Sequence, residues 1–145
     1  MDDLELHRAT GTEITAAELY ASLVLRSVVF VVEQACVYLD PDGRDLEATT
    51  THLWLARPGG AVAAYLRVLT EPSGEHRIGR VVTDGAHRGR RLAGRLIDEA
   101  LGFAERPVVL EAQSHLVHLY ARHGFAPSGA EYMEDGIPHT PMRLR

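Results

Sequence analysis

Cysteine is scarce in this sequence, because Cys36 is the only one among 145 residues. A single thiol excludes an internal disulfide framework and fits a reducing compartment, so we expect a cytoplasmic location. No neighbouring residues mark Cys36 as an activated nucleophile. We therefore predict that it is a small residue that is buried or half-buried.

Long apolar runs are also missing. The run from Val28 to Val32 has five residues, and no run approaches the length of about 20 that a membrane helix needs. The chain starts with Met1-Asp2-Asp3, which is acidic where the start of an export signal is basic. We therefore expect neither a membrane span nor an export signal.

The sequence has no excess of positive charge and no metal-binding motif. Its formal net charge is −5, which does not favour broad binding to nucleic acid. His115 and His118 lie three residues apart, and His52 is a distant third candidate. No His-Glu-x-x-His motif and no cysteine pair accompany them. The sequence therefore predicts neither a metal ion nor a nucleic-acid partner.

Acidic residues are concentrated in one loop, at Asp40, Asp42 and Asp45. The glutamate that closes an EF-hand calcium loop is absent. Ordinary turn chemistry explains the loop. A second interpretation places it with Glu134 and Asp135 at the mouth of a site that attracts a cationic amine.

A strand–turn–helix signal is present between Ile78 and Ala104. Residues 78–83 are of β type, Asp84-Gly85 predicts a turn, and residues 92–104 carry apolar side chains at helical spacing. The first N–H groups of such a helix have no helical partner, so they can bind an anion. The pattern therefore predicts a candidate phosphate site.

Four arginines surround the start of this helix: Arg88, Arg90, Arg91 and Arg95. The helix dipole repels cations there by about 0.3–1 kcal/mol each. That cost disappears when a polyphosphate binds the helix end and the arginines grip it. The alternative is a solvated basic face, and the charges alone do not decide between the two.

The remaining patterns predict a mixed α/β chain without repeats or linkers, hence a single domain over residues 1–145. A capping box at Thr15 and Glu18 predicts a first helix that continues to about Phe30. The order strand, helix, strand between residues 78 and 112 predicts a crossover between parallel strands. Further strands are expected near residues 4–8, 52–57, 61–69 and 125–142, and a short helix at residues 115–122.

Several motifs resemble the GNAT superfamily of acyl-CoA-dependent N-acyltransferases. Arg88-Gly89-Arg90-Arg91-Leu92-Ala93 is similar to its R/Q-x-x-G-x-G/A turn, and Tyr120 to Phe125 is similar to its Y-x-x-x-G-F segment. Residues 28–34 and 134–139 further resemble the ElaA-like branch. The similarity covers about residues 6–143. It implies a mixed, twisted central sheet flanked by about four helices.

The resemblance implies transfer of an acetyl group from acetyl-CoA to a primary amine by direct attack in a ternary complex. The acceptor would be a small-molecule or peptide amine, and a homodimer is compatible with the family. Acyl-CoA is the co-substrate. The residues that the resemblance assigns to it are Val81, Val82, Thr83, Arg88, Gly89, Arg90, Arg91, Leu92, Ala93, Gly94 and Gln113.

The resemblance also implies catalytic roles. Tyr120 would protonate the departing thiolate, and the strand at residues 81–83 would hold the thioester carbonyl with backbone N–H groups. The alternative for Tyr120 is a core aromatic with a hydrogen-bonded hydroxyl. As general base we rank Glu33 first, His139 second and His115 third.

Two positions depart from the family pattern. Arg91 stands where a glycine is usual, and Gln113 stands where many relatives carry asparagine. Glycine at the first position lets the backbone approach the pyrophosphate closely. Two other functions therefore stay open: a non-catalytic acyl-CoA-binding or sensing module, and a domain that binds a different phosphate ligand.

Overall fold

The structure is a computed structural model and describes residues 3–145, so Met1 and Asp2 of the acidic start lie outside the described residues. It contains eight strands and three α-helices. In chain order they are β1 (Glu5–Thr10), α1 (Ala16–Arg26), β2 (Thr51–Ala56), β3 (Val62–Thr70), β4 (His76–Thr83), α2 (Leu92–Leu101), β5 (Val108–Gln113), α3 (Val117–Ala121), β6 (Ala126–Pro127), β7 (Tyr132–Glu134) and β8 (Ile137–Leu144).

One sheet holds all eight strands in the order β1-β2-β3-β4-β5-β8-β6, with β7 paired to β8. Neighbouring strands are antiparallel except β4 and β5, which are parallel and joined through α2. The predicted mixed sheet and the parallel crossover are thus confirmed. The helix count differs from the expectation, because there are three α-helices rather than about four.

Apolar side chains from the two faces of the sheet form two cores. Leu53 and Leu55 of β2 pack with Leu96 and Ile97 of α2, and all four are fully buried. Trp54, which lies between the two leucines, belongs to the core beneath α1. This alternation follows from the two-residue period of a strand. The apolar stripe predicted on α2 is therefore the face that packs on the sheet.

The capping box predicted for α1 is present. Thr15 Oγ1 accepts a hydrogen bond from the Glu18 backbone N at 3.1 Å, and Thr15 N donates to Glu18 Oε1 at 2.9 Å. The buried face of the helix was not predicted, because it includes Arg26, whose side chain is fully buried. A buried guanidinium requires partners, and these are described below.

A π-helical segment, Ser27–Glu33, follows α1 directly. Gln34 N donates to Val29 O at 3.1 Å, the i to i+5 spacing of a π turn. The helix predicted to end near Phe30 thus continues to Glu33 in a wider form. Val32 in this segment is 72% exposed, whereas Val29 is buried. π turns often occur at functional sites, and this one forms part of a cavity wall.

Within residues 3–145, no helix combines the length and the apolar character that a membrane crossing requires.

Candidate active site

The two parallel strands of the sheet, β4 and β5, separate along their length. In the described residues β4 and β5 pair only near their starts, at His76 with Val108 and Arg77 with Val109. Both strands continue for several residues beyond this point. Their carboxyl ends therefore enclose a gap, and this is where open α/β sheets bind ligands.

A cavity of about 570 Å³ lies on one side of the gap, against the start of α2. We call it the helix-side cavity. All the residues assigned to acyl-CoA line it except Arg90, which is exposed: Val81, Val82, Thr83, Arg88, Gly89, Arg91, Leu92, Ala93, Gly94 and Gln113. The structure thus brings together residues from β4, the following turn, α2 and β5.

A second cavity of about 240 Å³ lies on the other side of the gap. We call it the hairpin-side cavity, because the turn between β7 and β8 forms one of its walls. Glu134, Asp135 and His139 come from this hairpin. Both cavities share six lining residues: Phe30, Gln34, Val81, Gln113, Leu116 and Tyr120. The two cavities therefore adjoin at the gap.

The turn into α2 contains two left-handed residues. Gly89 has φ 84°, and Arg91 has φ 57° with ψ 31°. Glycine adopts this conformation at little cost, whereas another residue loses about 1–2 kcal/mol. Arg91 therefore holds a backbone conformation that glycine adopts more readily. No side chain caps α2, and its first turn has no acidic residue.

We expect Arg91→Gly to raise the melting temperature by about 1–3 °C. Glycine removes the left-handed strain of about 1–2 kcal/mol and a cation at the positive end of the helix dipole. The greater freedom of glycine in the unfolded chain offsets about 0.5–1 kcal/mol of this gain. A net gain of about 1 kcal/mol corresponds to this shift for a domain of this size. Thermal unfolding followed by circular dichroism measures it.

Arg90→Gly is the matched control, because Arg90 is also exposed at this helix end but is not among the residues with positive φ. This variant has no left-handed strain to lose, so its melting temperature should stay constant or fall. An equal rise in both variants would contradict the strain at Arg91.

Glu33 and Arg88, which the resemblance assigns to different roles, contact each other. Arg88 Nη2 donates to Glu33 Oε1 at 2.7 Å, and the two side chains are 50% and 38% exposed. Both residues line the helix-side cavity, and neither lines the hairpin-side cavity. Glu33 therefore lies beside the candidate phosphate site in this structure.

Tyr120 lies at the junction of the two cavities. Its side chain is buried and packs edge-on against Phe125, with ring centroids 6.4 Å apart. Burial raises the pKa of Tyr120 to about 12. Within the described part of the chain, its hydroxyl has no hydrogen-bond partner. Tyr120 is thus a member of the core, as the alternative has it, but without the hydrogen bond that the alternative expects.

His139 lines the hairpin-side cavity. Its Nδ1 lies 2.8 Å from Ile137 O. A carbonyl only accepts hydrogen bonds, so this contact assigns the proton of the neutral imidazole to Nδ1 and leaves the Nε2 lone pair available. The ring stacks on Tyr132 at 5.7 Å between centroids. His115 is exposed and lines the helix-side cavity instead.

Gln113 is paired with Gln34 at the end of the π-helical segment. Each amide nitrogen donates to the oxygen of the other side chain, at 3.2 Å in both directions. Both residues line both cavities. The pair therefore spans the junction, and each of its hydrogen bonds can be exchanged for one to an amide of a bound ligand.

The acidic loop binds the buried arginine of α1. Arg26 Nε lies 2.8 Å from Asp40 Oδ2, and its Nη1 lies 2.8 Å from Asp45 Oδ1. Burial alone would raise the pKa of Asp45, but hydrogen bonds and charges from Arg26 and Arg67 hold that pKa below its usual range. A lone arginine among the apolar residues of the α1 face is the sequence signal that could have predicted this network.

The network corrects the interpretation of the loop as an acceptor mouth. Arg67 of β3 binds both Asp42 and Asp45. None of the three loop aspartates lines the hairpin-side cavity, and Asp40 and Asp45 are buried. The loop carboxylates neutralise arginines of the protein, so only Glu134 and Asp135 of the proposed mouth line this cavity.

The three histidines considered for a metal site have different surroundings. His52 is buried, with Nδ1 2.6 Å from the Tyr65 hydroxyl and Nε2 2.8 Å from Asp45 O. His115 and His118 are exposed near α3. Among residues 3–145, no group of three histidine, cysteine or acidic side chains could hold a metal ion. The free thiol of Cys36 is buried.

The sequence matches the family model of the acetyltransferase (GNAT) domain over residues 33–145. A UPF0039 protein of Mycobacterium tuberculosis is 45% identical over 141 residues, which cover 94% of this chain and 90% of the relative. Protein ElaA of Escherichia coli is 39% identical over 145 residues, which cover 95% and 92% of the two chains.

Two crystal structures show the same fold. An acyl-CoA N-acyltransferase from Pseudomonas aeruginosa has a TM-score of 0.90 and 45% sequence identity, covering 98% of this chain and 99% of the other. Escherichia coli ElaA has a TM-score of 0.91 and 36% identity, with the same coverage. The family indicated by sequence similarity and the fold of the structure therefore agree.

Proposed function

Because the chain belongs to the GNAT acetyltransferase family and is similar to ElaA, we propose that it transfers an acetyl group from acetyl-CoA to a primary amine. The amine attacks the thioester directly in a ternary complex. The observation that supports this most is Tyr120, a buried residue that lines both cavities and whose hydroxyl has no partner in the described residues.

In this proposal the helix-side cavity holds acyl-CoA. The amide groups between Gly89 and Ala93 bind the diphosphate, assisted by the positive end of the α2 dipole. The position of Gly89 and Arg91 supports this role, because both lie in the turn that leads into α2 and line the helix-side cavity. Arg91 therefore does not favour a non-catalytic module over an enzyme.

Arg88→Ala should weaken coenzyme A binding about five- to tenfold. A charge-assisted hydrogen bond contributes about 1.5–3 kcal/mol, but Arg88 must first release Glu33, so the net effect lies at the lower end. Calorimetric titration with coenzyme A measures the change. Arg90→Ala is the control, because Arg90 does not line the cavity.

Glu33→Gln separates the two partners of this ion pair. It frees Arg88, so coenzyme A affinity should stay constant or rise. A loss of affinity in Glu33→Gln equal to that in Arg88→Ala would contradict the assignment of Arg88 to the phosphate.

Acyl transfer needs a base for the amine, donors for the developing oxyanion and an acid for the sulfur. We assign the base to His139, whose Nε2 can accept a proton and which lines the hairpin-side cavity. Glu33 is less suitable, because it lies in the other cavity and is paired with Arg88. Tyr120 supplies the acid, and N–H groups near Val81 supply the oxyanion donors.

These positions set the order in which bonds form and break. His139 accepts a proton from the ammonium form of the acceptor, and the freed amine attacks the carbonyl carbon. The tetrahedral intermediate then loses the C–S bond, and Tyr120 donates its proton to the departing sulfur. The pKa of about 12 at Tyr120 keeps the phenol protonated throughout the physiological range. The phenolate regains a proton from solvent or from the attacking nitrogen, which still carries one proton more than the amide product.

The acceptor side favours a cationic amine. The arginines that line the hairpin-side cavity are each paired with carboxylates, for example Arg80 with Asp40 and Arg77 with Glu71. Glu134 and Asp135 line the same cavity and have no ion pair in the described residues. Their charge attracts amines that carry a second positive group.

Release of free coenzyme A with a panel of mono-, di- and polyamines tests the activity directly. Turnover with at least one amine supports the proposal. Binding of coenzyme A without turnover on any amine would indicate a sensing module. Stronger thermal stabilisation by ATP than by coenzyme A would indicate a different phosphate ligand.

A further inference from the structure

β4 contains a bulge at the place where the two cavities adjoin. Tyr65 of β3 pairs with Val82, whereas Arg67 pairs with Gly79, so two residues of β4 oppose one residue of β3. Arg80, the first residue of the bulge, has φ 54°. A bulge interrupts the ladder of hydrogen bonds and re-aims the groups that follow it.

The left-handed conformation falls on an arginine although a glycine precedes it. Gly79 is not among the residues with positive φ, whereas Arg80 is. A non-glycine residue loses about 1–2 kcal/mol in this region, and such strain persists where the surrounding structure holds it. The position of the bulge therefore depends on the contacts of the Arg80 side chain.

The guanidinium of Arg80 is anchored on the acidic loop. Its Nη2 donates to Asp40 O at 3.0 Å, and its Nε lies 2.9 Å from Asp40 Oδ1 in an ion pair without hydrogen-bond geometry. A second carboxylate, Asp42, lies 3.5 Å from Nη2. The guanidinium carbon also lies 5.7 Å from the centre of the Tyr38 ring. These contacts fix the side chain on one short stretch of loop.

The anchor itself is rigid. Asp40 is 2% exposed, and it accepts hydrogen bonds from Arg26 Nε at 2.8 Å and from the Tyr38 hydroxyl at 2.7 Å. A carboxylate with these partners in a buried setting has little freedom to move. The position of the bulge is therefore tied to α1 through Asp40.

We propose that Arg80 is a positioning residue for acyl transfer: anchored on Asp40, it holds the β4 bulge so that the backbone N–H groups after it face the thioester carbonyl. The inference rests on the proposed acyl transfer. Arg80 itself touches neither the sulfur nor the diphosphate in this arrangement. Its loss should therefore affect the thioester carbonyl, which free coenzyme A lacks.

Arg80→Gly is the sharpest test. Glycine tolerates the left-handed conformation, so the variant loses the anchor without adding backbone strain. We expect kcat to fall about tenfold, because a displaced donor array stabilises the oxyanion less well. The affinity for coenzyme A should stay within about twofold of wild type. Steady-state kinetics at saturating acceptor and calorimetry with coenzyme A measure the two quantities.

Arg80→Lys provides the conservative variant. It keeps the charge but loses the fork that binds Asp40 at two atoms, so kcat should fall less than in Arg80→Gly. This variant decides the question if Arg80→Gly does not fold. Arg57→Gly is the control, because the Arg57 side chain makes an exposed ion pair with Asp3 at 3.6 Å and lines neither cavity. Its kcat should match wild type.

Unchanged kcat in a folded Arg80→Gly or Arg80→Lys protein would overturn the positioning role. An equal loss of kcat and of coenzyme A affinity would also overturn it, because that result indicates a general structural defect. These outcomes differ from failure of the proposed function, in which the wild-type protein itself shows no turnover or no coenzyme A binding.

Discussion

Tyr120→Phe is expected to lower kcat about 100-fold at neutral pH while leaving coenzyme A affinity nearly unchanged. General acid catalysis contributes about 10²–10⁴-fold, and 100-fold corresponds to about 2.7 kcal/mol of transition-state stabilisation. The hydroxyl has no partner in the described residues, so its removal breaks no hydrogen bond within residues 3–145. The melting temperature should therefore stay constant.

The pH dependence distinguishes an acid from a packing role. The burial that raises the pKa of Tyr120 to about 12 keeps the phenol able to donate at every pH below that value. A simple thiol ionises near pH 8.5, so above pH 9 the sulfur leaves without needing a proton. The deficit of Tyr120→Phe should therefore shrink from pH 7 to pH 9.5. Equal turnover of variant and wild type at both pH values would remove the acid assignment.

Tyr65→Phe is the matched control for this experiment. Tyr65 is also buried, but its hydroxyl contacts His52 Nδ1 at 2.6 Å, and it lines neither cavity. Its substitution should lower stability by about 0.5–1.5 kcal/mol with little effect on kcat. Tyr120→Phe should thus lower turnover and not stability, whereas Tyr65→Phe should lower stability and have little effect on turnover.

His139→Gln is expected to lower kcat/KM about 100-fold at neutral pH. The imidazole Nε2 can accept a proton from an amine in the hairpin-side cavity, and glutamine cannot replace it in this role. Initial rates at subsaturating amine measure this effect.

His115→Gln and Glu33→Gln are the controls for the base. Both residues line the helix-side cavity, so neither substitution should lower kcat/KM by a comparable factor. If Glu33→Gln instead produced the loss and His139→Gln did not, the assignment of the base would be wrong, and Glu33 would have to leave Arg88 during catalysis.

Much of the candidate site could be predicted from short stretches of the sequence. The glycine and arginine turn, the apolar stripe of α2 and the spacing from Tyr120 to Phe125 are all contained in short stretches of sequence. The two cavities gather these residues because β4 and β5 are parallel neighbours, which the strand–helix–strand order already indicated. Short-range patterns therefore predicted the residues that meet at the gap.

Features that depend on distant partners were not predictable in this way. Asp40 was interpreted as part of a polar loop, because its partner Arg26 is fourteen residues away. Glu33 was ranked first as base without its ion pair to Arg88, which is 55 residues away. The unpartnered hydroxyl of Tyr120 is likewise a property of the packed molecule. Such contacts depend on how the chain folds back on itself.

The backbone conformation of Arg91 is a third example. The sequence identified a departure from glycine at this position, but it gave no information on the φ angle. The structure gives φ 57°, so Arg91 holds a left-handed conformation that is usual for glycine. This is the physical reason why an arginine here is compatible with the phosphate site.

A crystal structure of the protein with bound coenzyme A tests the central claim most directly. We predict that the diphosphate lies on the amide groups between Gly89 and Ala93, and that the sulfur lies within about 3.5 Å of the Tyr120 hydroxyl. A diphosphate bound elsewhere, with the Tyr120 hydroxyl still unpartnered and remote from the sulfur, would contradict the account.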